Sequence, residues 1–172
     1  MTALIPAHSN DIQTIMKLAK SIWQDHYIHI ISQEQLDYML DKMYSSASLL
    51  DQMENQNHEF FIIKEQGIEI GFISIKKTVN EVFLNKFYLL SNQQNKGLGT
   101  KVFELLKEKI GSFKTMRLTV NRQNYKSINF YFKNNFKIEA VKDFKIGNGY
   151  EMNDFIMVYP QETKCDQRLA NC

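Results

Sequence analysis

Hydrophobic residues in the first third of the chain recur at the spacing of helices. Apolar side chains follow an i, i+3, i+4 pattern from Asp11 to Tyr27, which predicts an amphipathic helix after a short strand at Ala3–Ile5. A second helix is expected after Ser32, because Ser32 and Gln35 have the spacing of a capping box. A third short helical segment is predicted around Ser48 to Met53.

Near residue 60 the pattern changes to the period of strands. Short apolar runs bounded by turn residues such as Gln66 and Gly67 predict an antiparallel meander. The later predicted elements are strands at 60–63, 68–77, 82–90, 116–120, 136–141 and 152–159, and helices at 98–110 and 125–134. The order β-α-α-β-β-β-α-β-α-β-β predicts an α/β (mixed α+β) fold, in which a mixed, mostly antiparallel sheet carries helices on both faces. We expect a single domain over residues 1–160, followed by a polar C-terminal tail at 161–172.

Composition and charge narrow the class of protein. The 172 residues are 44% hydrophobic and 23% charged, as in globular domains, and the net charge of +2 gives no reason to expect nucleic acid or a membrane surface as partner. No apolar stretch reaches the roughly 18 residues of a membrane span, and the N-terminus lacks the pattern of a signal peptide. Cys165 and Cys172 in the tail make no disulfide framework, which favours a reducing cytoplasm. His26 and His29 lack a third ligand at suitable spacing, so no metal site is expected.

The segment Gln94-Asn95-Lys96-Gly97-Leu98-Gly99 lies between a predicted strand and a predicted helix. Backbone amides at a helix N-terminus lack intrahelical partners and lie at the positive end of the helix dipole, and glycines let a bulky anion approach them. The loop therefore indicates a phosphate-binding site. Val102 stands where a dinucleotide fingerprint has its third glycine, and Gly99-Thr100-Lys101 is not the order of a Walker A loop. An ordinary glycine-rich connection remains the alternative.

A second informative group of residues surrounds the helix predicted at 125–134. Asn124 is placed to cap the start of this helix. Tyr131 shares a helical face with Ile128 and Phe132, so its side chain is expected to point inward. Asn135 occupies the C-terminal position at which glycine is usual, and asparagine tolerates the left-handed conformation needed there.

Together the two groups resemble the motifs of the GNAT superfamily of acyl-CoA-dependent N-acetyltransferases. The residues that carry the resemblance are Gln94-x-x-Gly97-x-Gly99 and Asn124-x-x-Ser127-x-x-Phe130-Tyr131-x-x-x-Asn135-Phe136. The predicted order of elements is similar to that family's three-layer fold, and the resemblance extends to about Tyr159. It implies acetyl-CoA as the co-substrate and an amine as the acceptor. Asn135 departs from the family's glycine, which affects how the helix ends and not the CoA site.

The resemblance also implies which residues bind CoA. The loop amides would hold the pyrophosphate, the strand before the loop would pair with the pantetheine amides, and Asn124 would contact the CoA arm. Lys133 or Lys126 could reach the ribose phosphate, although lysines on helices are usually solvated. The expected CoA-binding residues are Phe87, Tyr88, Leu89, Gln94, Asn95, Lys96, Gly97, Leu98, Gly99, Thr100, Asn124 and Lys133.

Tyr131 is the residue expected to protonate the departing thiolate. A free alkylamine has a pKa of about 10.4 and must lose a proton to attack, whereas the thiolate resembles cysteine, with a pKa of about 8.5, and accepts a proton from a phenol near 10. Backbone amides along Asn85 to Leu89 are candidates for stabilising the oxyanion. The alternatives are a buried tyrosine that merely satisfies its hydroxyl at 131, and a simple helix cap at Asn124.

The sequence leaves open which group removes the proton from the amine. Three carboxylates on one helical face form either an acidic entrance for a cationic amine or an ordinary solvated surface: Glu34, Asp37 and Asp41. Other carboxylates are equally eligible, as is a chain of water molecules: Glu81, Glu151 and Asp154.

The acceptor is the part of the function that the sequence constrains least. The resemblance implies that the helices over 12–53 border the acceptor pocket. Phe144-x-x-Gly147 and Asp154-x-x-Met157 resemble the PaiA-type branch, whose members acetylate polyamines and other small amines. A protein N-terminus, a lysine, an aminoglycoside, or a regulatory module that binds acyl-CoA without turnover remain alternatives. A homodimer is expected only because dimers are common.

Overall fold

The computed structural model describes residues 1–94 and 97–160. The helices are α1 Ile12–His26, α2 Gln33–Tyr44, α3 Ser46–Glu54, α4 Leu98–Ile110 and α5 Tyr125–Lys133. The strands are β1 Thr2–Ala7, β2 His58–Glu65, β3 Ile68–Lys77, β4 Glu81–Leu89, β5 Thr115–Asn121, β6 Lys137–Gly147 and β7 Tyr150–Pro160. The predicted order and fold class are confirmed, and the third helical segment is a separate helix, α3. The predicted tail at 161–172, with its two cysteines, lies outside the described residues.

The largest difference in length from prediction is at β6, which continues to Gly147 rather than ending at Val141. Beyond Val141 the sequence mixes charged and apolar residues, because β6 is an edge strand whose side chains are largely exposed. Backbone pairing with β7 extends it, with Lys142 opposite Asp154 and Phe144 opposite Met152. Such pairing leaves no hydrophobic period for a sequence-based prediction to detect.

The strands form one sheet in the order β1-β2-β3-β4-β5-β7-β6. Neighbouring strands are antiparallel except for β4 and β5, which run parallel. These two pair only from Glu81–Phe83 to Thr115–Arg117, close to where both strands begin. Because pairing stops there, β4 and β5 diverge and leave a wedge-shaped opening in the middle of the sheet, which we call the splay.

A bulge in β4 sets the direction of the side chains at the splay. Ser74 of β3 lies opposite Lys86 and the next residue, Ile75, opposite Leu84, so Asn85 is the extra residue. Before the bulge, Val82 and Leu84 pack on the α4 and α5 face. After it, the same face is taken by Phe87 and Leu89. Tyr88 and Lys86 are thereby directed to the opposite face, against α1 to α3.

The sheet separates two hydrophobic cores. One contains Phe103 and Val102 of α4, Ile128 and Tyr131 of α5, and the facing strand residues. The other contains Trp23 and neighbouring residues from α1, α2 and α3. The two helical layers therefore flank the splay from opposite sides. No helix within 1–94 and 97–160 is long and apolar enough to cross a membrane.

Candidate active site

The site is built around the splay, at the end of β4 and the start of α4. Gln94 ties the connecting loop to the strand, since its Nε2 donates to the Leu89 carbonyl at 2.8 Å and its backbone N–H donates to Ser91 at 3.3 Å. Gln94 therefore positions the loop through its side chain. Asn95 and Lys96, also expected at this site, lie outside the described residues.

The N-terminus of α4 carries backbone donors without partners inside the helix. Its first intrahelical bond runs from the Lys101 N–H to the Gly97 carbonyl at 3.2 Å, so the amides of Leu98, Gly99 and Thr100 precede the first turn of hydrogen bonds. Gly97 has φ of 70°, a left-handed conformation that side chains rarely adopt. The predicted cluster of amides at a helix N-terminus is therefore present.

Gly99 has a packing role that the sequence did not indicate. A Cβ atom at this position would lie 2.9 Å from Cε2 of Phe130 on α5. The Phe130 ring in turn stacks on Phe87 of β4, with ring centres 5.5 Å apart. The second glycine thus allows α5 to approach α4 closely, and it joins both motifs to the strand beside the splay.

Helix α5 begins and ends as predicted. Asn124 is buried and caps the helix, since its Oδ1 accepts from the Ser127 N–H at 3.1 Å. At the other end Asn135 has φ of 66°, and the N–H of Phe136 donates to the Tyr131 carbonyl at 3.0 Å. The N–H of Asn135 also bonds the Phe132 carbonyl at 3.1 Å, which completes a Schellman motif. Both caps fix the helix that carries Tyr131.

Tyr131 points inward, as predicted, and is 8% exposed. Its ring packs between Phe130 and Phe136, each with a ring-centre distance of 5.3 Å. Burial raises the pKa of the Tyr131 phenol, and the nearby Tyr27 adds to the shift. At neutral pH this group is therefore a protonated phenol.

Tyr27, from the other helical layer, is close enough to Tyr131 to influence its ionisation. Tyr27, directly after α1, stacks on Trp23 with a ring-centre distance of 4.3 Å. Burial raises its pKa well above the ordinary value, and its hydroxyl interacts with Tyr88 of β4 and with Asn124.

Asp154 of β7 is the carboxylate that the structure distinguishes from the others. Its side chain is 1% exposed, and burial raises the pKa of its carboxyl to about 6 despite the neighbouring Thr119 hydroxyl and Arg122. Neither oxygen makes a hydrogen bond of ordinary geometry within the described residues. It lies opposite Asn121, at the end of β5 where that strand is far from its pairing with β4.

The other carboxylates considered lie in ordinary surface environments. Glu34, Asp37 and Asp41 are exposed on α2, where Asp37 accepts a hydrogen bond from Gln33 at 2.8 Å. Glu81 pairs with Arg117 at 2.7 Å, on the surface where β4 and β5 begin. Three further polar residues considered from the sequence also have exposed side chains: Glu151, Lys126 and Lys133.

Sequence reasoning missed Lys86, a buried lysine next to the site. It is 6% exposed, its Nζ donates to Oε1 of Gln52 at 2.7 Å, and it lies 5.5 Å from the ring centres of Tyr44 and Phe60. Burial lowers the pKa of its ammonium to about 7. Strict alternation along β4 cannot locate it, because the bulge at Asn85 changes which residues share a face.

A sheet opened at its parallel strand pair, with a helix N-terminus at the opening, is the architecture that the resemblance to the GNAT fold predicts. The comparison with known families agrees: the sequence pattern of the Acetyltransferase (GNAT) family matches residues 15–136. The chain therefore belongs to the GNAT family and is an acetyl-CoA-dependent N-acetyltransferase.

Three relatives illustrate the similarity. The chain is 31% identical to spermidine N(1)-acetyltransferase of Thermoplasma acidophilum over 150 residues, which are 82% of this chain and 92% of that protein. The crystal structure of PaiA N-acetyltransferase from T. acidophilum, in complex with coenzyme A, superposes with a TM-score of 0.73 at 26% identity, over 94% of this chain and 99% of that one. Ribosomal-protein-S18-alanine N-acetyltransferase of Escherichia coli shares the fold, with a TM-score of 0.70, 16% identity and coverage of 97% and 98%.

Proposed function

We propose that this enzyme transfers the acetyl group directly to a primary amine of a small, polyamine-like molecule, with Tyr131 as the general acid. The observation that carries the proposal is the position of Tyr131, a buried phenol at the splay beside Tyr27 and Tyr88. The choice of acceptor is supported by the similarity to the spermidine acetyltransferase of T. acidophilum.

The residues present fit acetyl-CoA as the donor substrate. The amides of Leu98 to Thr100, which have no partners inside the helix, suit a pyrophosphate, because a helix N-terminus favours a bound anion. Beyond Phe83 the edge of β4 faces the splay instead of a paired strand, and it suits the amides of the extended pantetheine arm. Exposed Lys133 is proposed to contact a phosphate. Asn95 and Lys96 are included in the proposed site only because the resemblance implies them.

The proposed reaction forms one bond to the acetyl carbon and breaks another. The lone pair of the neutral amine attacks the thioester carbon, so that a C–N bond forms, the C–S bond breaks and sulfur leaves with the electron pair. The Tyr131 phenol gives its proton to sulfur and regains one from solvent, while the nitrogen loses one proton to a base. Amides of Asn85 to Leu89 are proposed to stabilise the oxyanion, since this stretch of β4 lies beyond the paired segment.

A regulatory module that binds acyl-CoA without turnover is the competing hypothesis. Such a module would need the anion site at α4 but would not need a phenol held inside the splay. The caps at Asn124 and Asn135, which fix the position of Tyr131, favour the enzyme. A cytoplasmic location and a homodimer stay predictions from the sequence.

The substitution Tyr131→Phe tests the acid role directly. We expect turnover to fall about 100-fold, the lower range for loss of a general acid, while the affinity for acetyl-CoA measured by calorimetry stays the same. Tyr125→Phe is the matched control, because Tyr125 is on the same helix and 71% exposed, and its turnover should equal that of the wild type. Wild-type turnover of Tyr131→Phe at every pH would contradict the role.

A further inference from the structure

Asp154 is a buried carboxylate whose two oxygens lack hydrogen-bond partners among the described residues. Buried polar atoms in folded proteins are almost always hydrogen-bonded, and leaving one unpaired is costly. No ion pair joins Asp154 to a cation anywhere in residues 1–94 and 97–160. Its position therefore suits a ligand that brings its own hydrogen-bond donors or positive charge.

The side chain faces the layer through which an acceptor would approach. On β7, Phe155 and Met157 pack into the core beside α4 and α5. Asp154 points to the opposite face, which it shares with Met152 in the core formed by α1 to α3. Tyr27, from that same layer, interacts electrostatically with Asp154. The carboxylate thus lies across the splay from the helix that carries the proposed acid.

The charged groups around Asp154 do not form an ion pair with it within residues 1–94 and 97–160. Arg122, at the end of β5, is paired with Asp143 of β6 through a bond of 2.6 Å. Lys142 of β6 is the cross-strand neighbour of Asp154, with an exposed side chain. Tyr27 is the titratable group facing it from the helical layer. The Thr119 hydroxyl and Arg122 favour ionisation of Asp154 and Asp143 opposes it, and none of the three makes a hydrogen bond of ordinary geometry to it.

We propose that Asp154 is a catalytic residue that binds the ammonium group of the acceptor and takes its proton as the amine attacks the thioester. This inference rests on the proposed function and adds the base that it lacked. The carboxylate first takes one proton from the ammonium and passes it to solvent, which leaves a neutral amine. The lone pair of that amine forms the C–N bond as the C–S bond breaks, and the carboxylate then takes the second proton from nitrogen. Because the carboxyl has a pKa of about 6, most of it is ionised at pH 7 to 8 and available as a base.

Asp154→Asn tests the inference, with spermidine as the acceptor and Asp143→Asn as the matched control on the neighbouring strand. At pH 7 we expect kcat/KM of Asp154→Asn to fall about 100-fold, and at pH 9.5 the loss should shrink to about tenfold, because more of the amine is already neutral there. Asp143→Asn should stay within about threefold of the wild type, since the ion pair with Arg122 that it removes is exposed to solvent. Calorimetry should show unchanged binding of acetyl-CoA in both variants.

Two results would overturn the inference and leave the proposed function standing. One is an Asp154→Asn enzyme as active as Asp143→Asn, and the other is a loss of the same size at every pH, which would indicate a structural role. If Asp154→Asn does not fold, Asp154→Ala with added formate replaces it, and failure of formate to restore turnover contradicts a base at this position. A wild-type enzyme that acetylates no amine contradicts both the inference and the proposed function.

Discussion

At the scale of single residues, two buried ionisable groups of opposite charge stand out on the same face of the sheet. Lys86 lies among Gln52, Tyr44 and Phe60, and Asp154 lies near Tyr27. Each resists ionisation because it is buried without an opposite charge in the described part of the chain. Such groups reduce the free energy of unfolding, and sites of chemistry are where proteins commonly retain them.

Lys86 gives stability a defined dependence on pH. Its pKa is about 7 in the folded protein and 10.5 for an unperturbed side chain, so the unfolded chain binds the extra proton between these values. The cost of burying the charge is complete below pH 7 and disappears above pH 10.5. Lys86→Met should therefore raise the free energy of unfolding at pH 6 by about 2 kcal/mol, after allowance for the lost bond to Gln52.

Chemical denaturation at pH 6 and pH 10 would measure this effect. The gain from Lys86→Met should be lost at pH 10, where little burial cost remains and the missing bond to Gln52 should leave the variant less stable than the wild type. Lys20→Met, a substitution at an exposed position of α1, is the control and should change stability little at either pH. Equal stabilisation by Lys86→Met at both pH values would show that its charge is not the cause.

At the scale of elements, the N-terminus of α4 depends on the backbone of Gly97. Alanine in the left-handed conformation at φ of 70° should cost roughly 1–2 kcal/mol of stability. A misdirected first turn should also weaken acetyl-CoA binding by about fivefold or more, equivalent to roughly 1 kcal/mol. Titration calorimetry of Gly97→Ala would measure the loss of binding.

Gly67 provides the control for that experiment. It lies in the turn between β2 and β3 with φ of 83°, and a Cβ atom added to either glycine would meet no atom of the described residues within 4 Å. Gly67→Ala should cost similar stability and leave acetyl-CoA binding unchanged. Equal weakening by both substitutions would mean that lower stability, rather than the loop geometry, governs binding.

The elements that were predicted correctly from the sequence are those determined by residues close together in the chain. The caps at Asn124 and Asn135 depend on residue type and spacing, and the α4 helix on its apolar period, so each was recognisable without the fold. The bulge at Asn85 was not, because one extra residue leaves the composition of a strand unchanged. Lys86 was missed for the same reason.

Asp154 can be distinguished from the other carboxylates only in the folded structure. In the sequence it is one carboxylate among several, and its burial results from the pairing of β7 with both β5 and β6. Gly99 was identified by its motif, but its contact with Phe130 depends on how α5 docks on α4. Long-range packing of this kind leaves no trace in the spacing of residues along the chain.

At the scale of the whole molecule, the sheet separates two layers that meet at the splay. Helices α4 and α5 form the layer with the proposed anion site and Tyr131, and α1 to α3 form the layer that faces Asp154. A donor held from one side and an acceptor entering from the other would bring amine and thioester together without a covalent enzyme intermediate.

The most direct test of this account is the stoichiometry of products from acetyl-CoA and a panel of spermidine, spermine, lysine, peptides and aminoglycosides. Free CoA thiol would be measured together with the mass of each amine. The account predicts one acetyl group on a primary amine of a polyamine for every thiol released. Acetyl-CoA binding without thiol release from any amine, or thiol release without an acetylated amine, would contradict it.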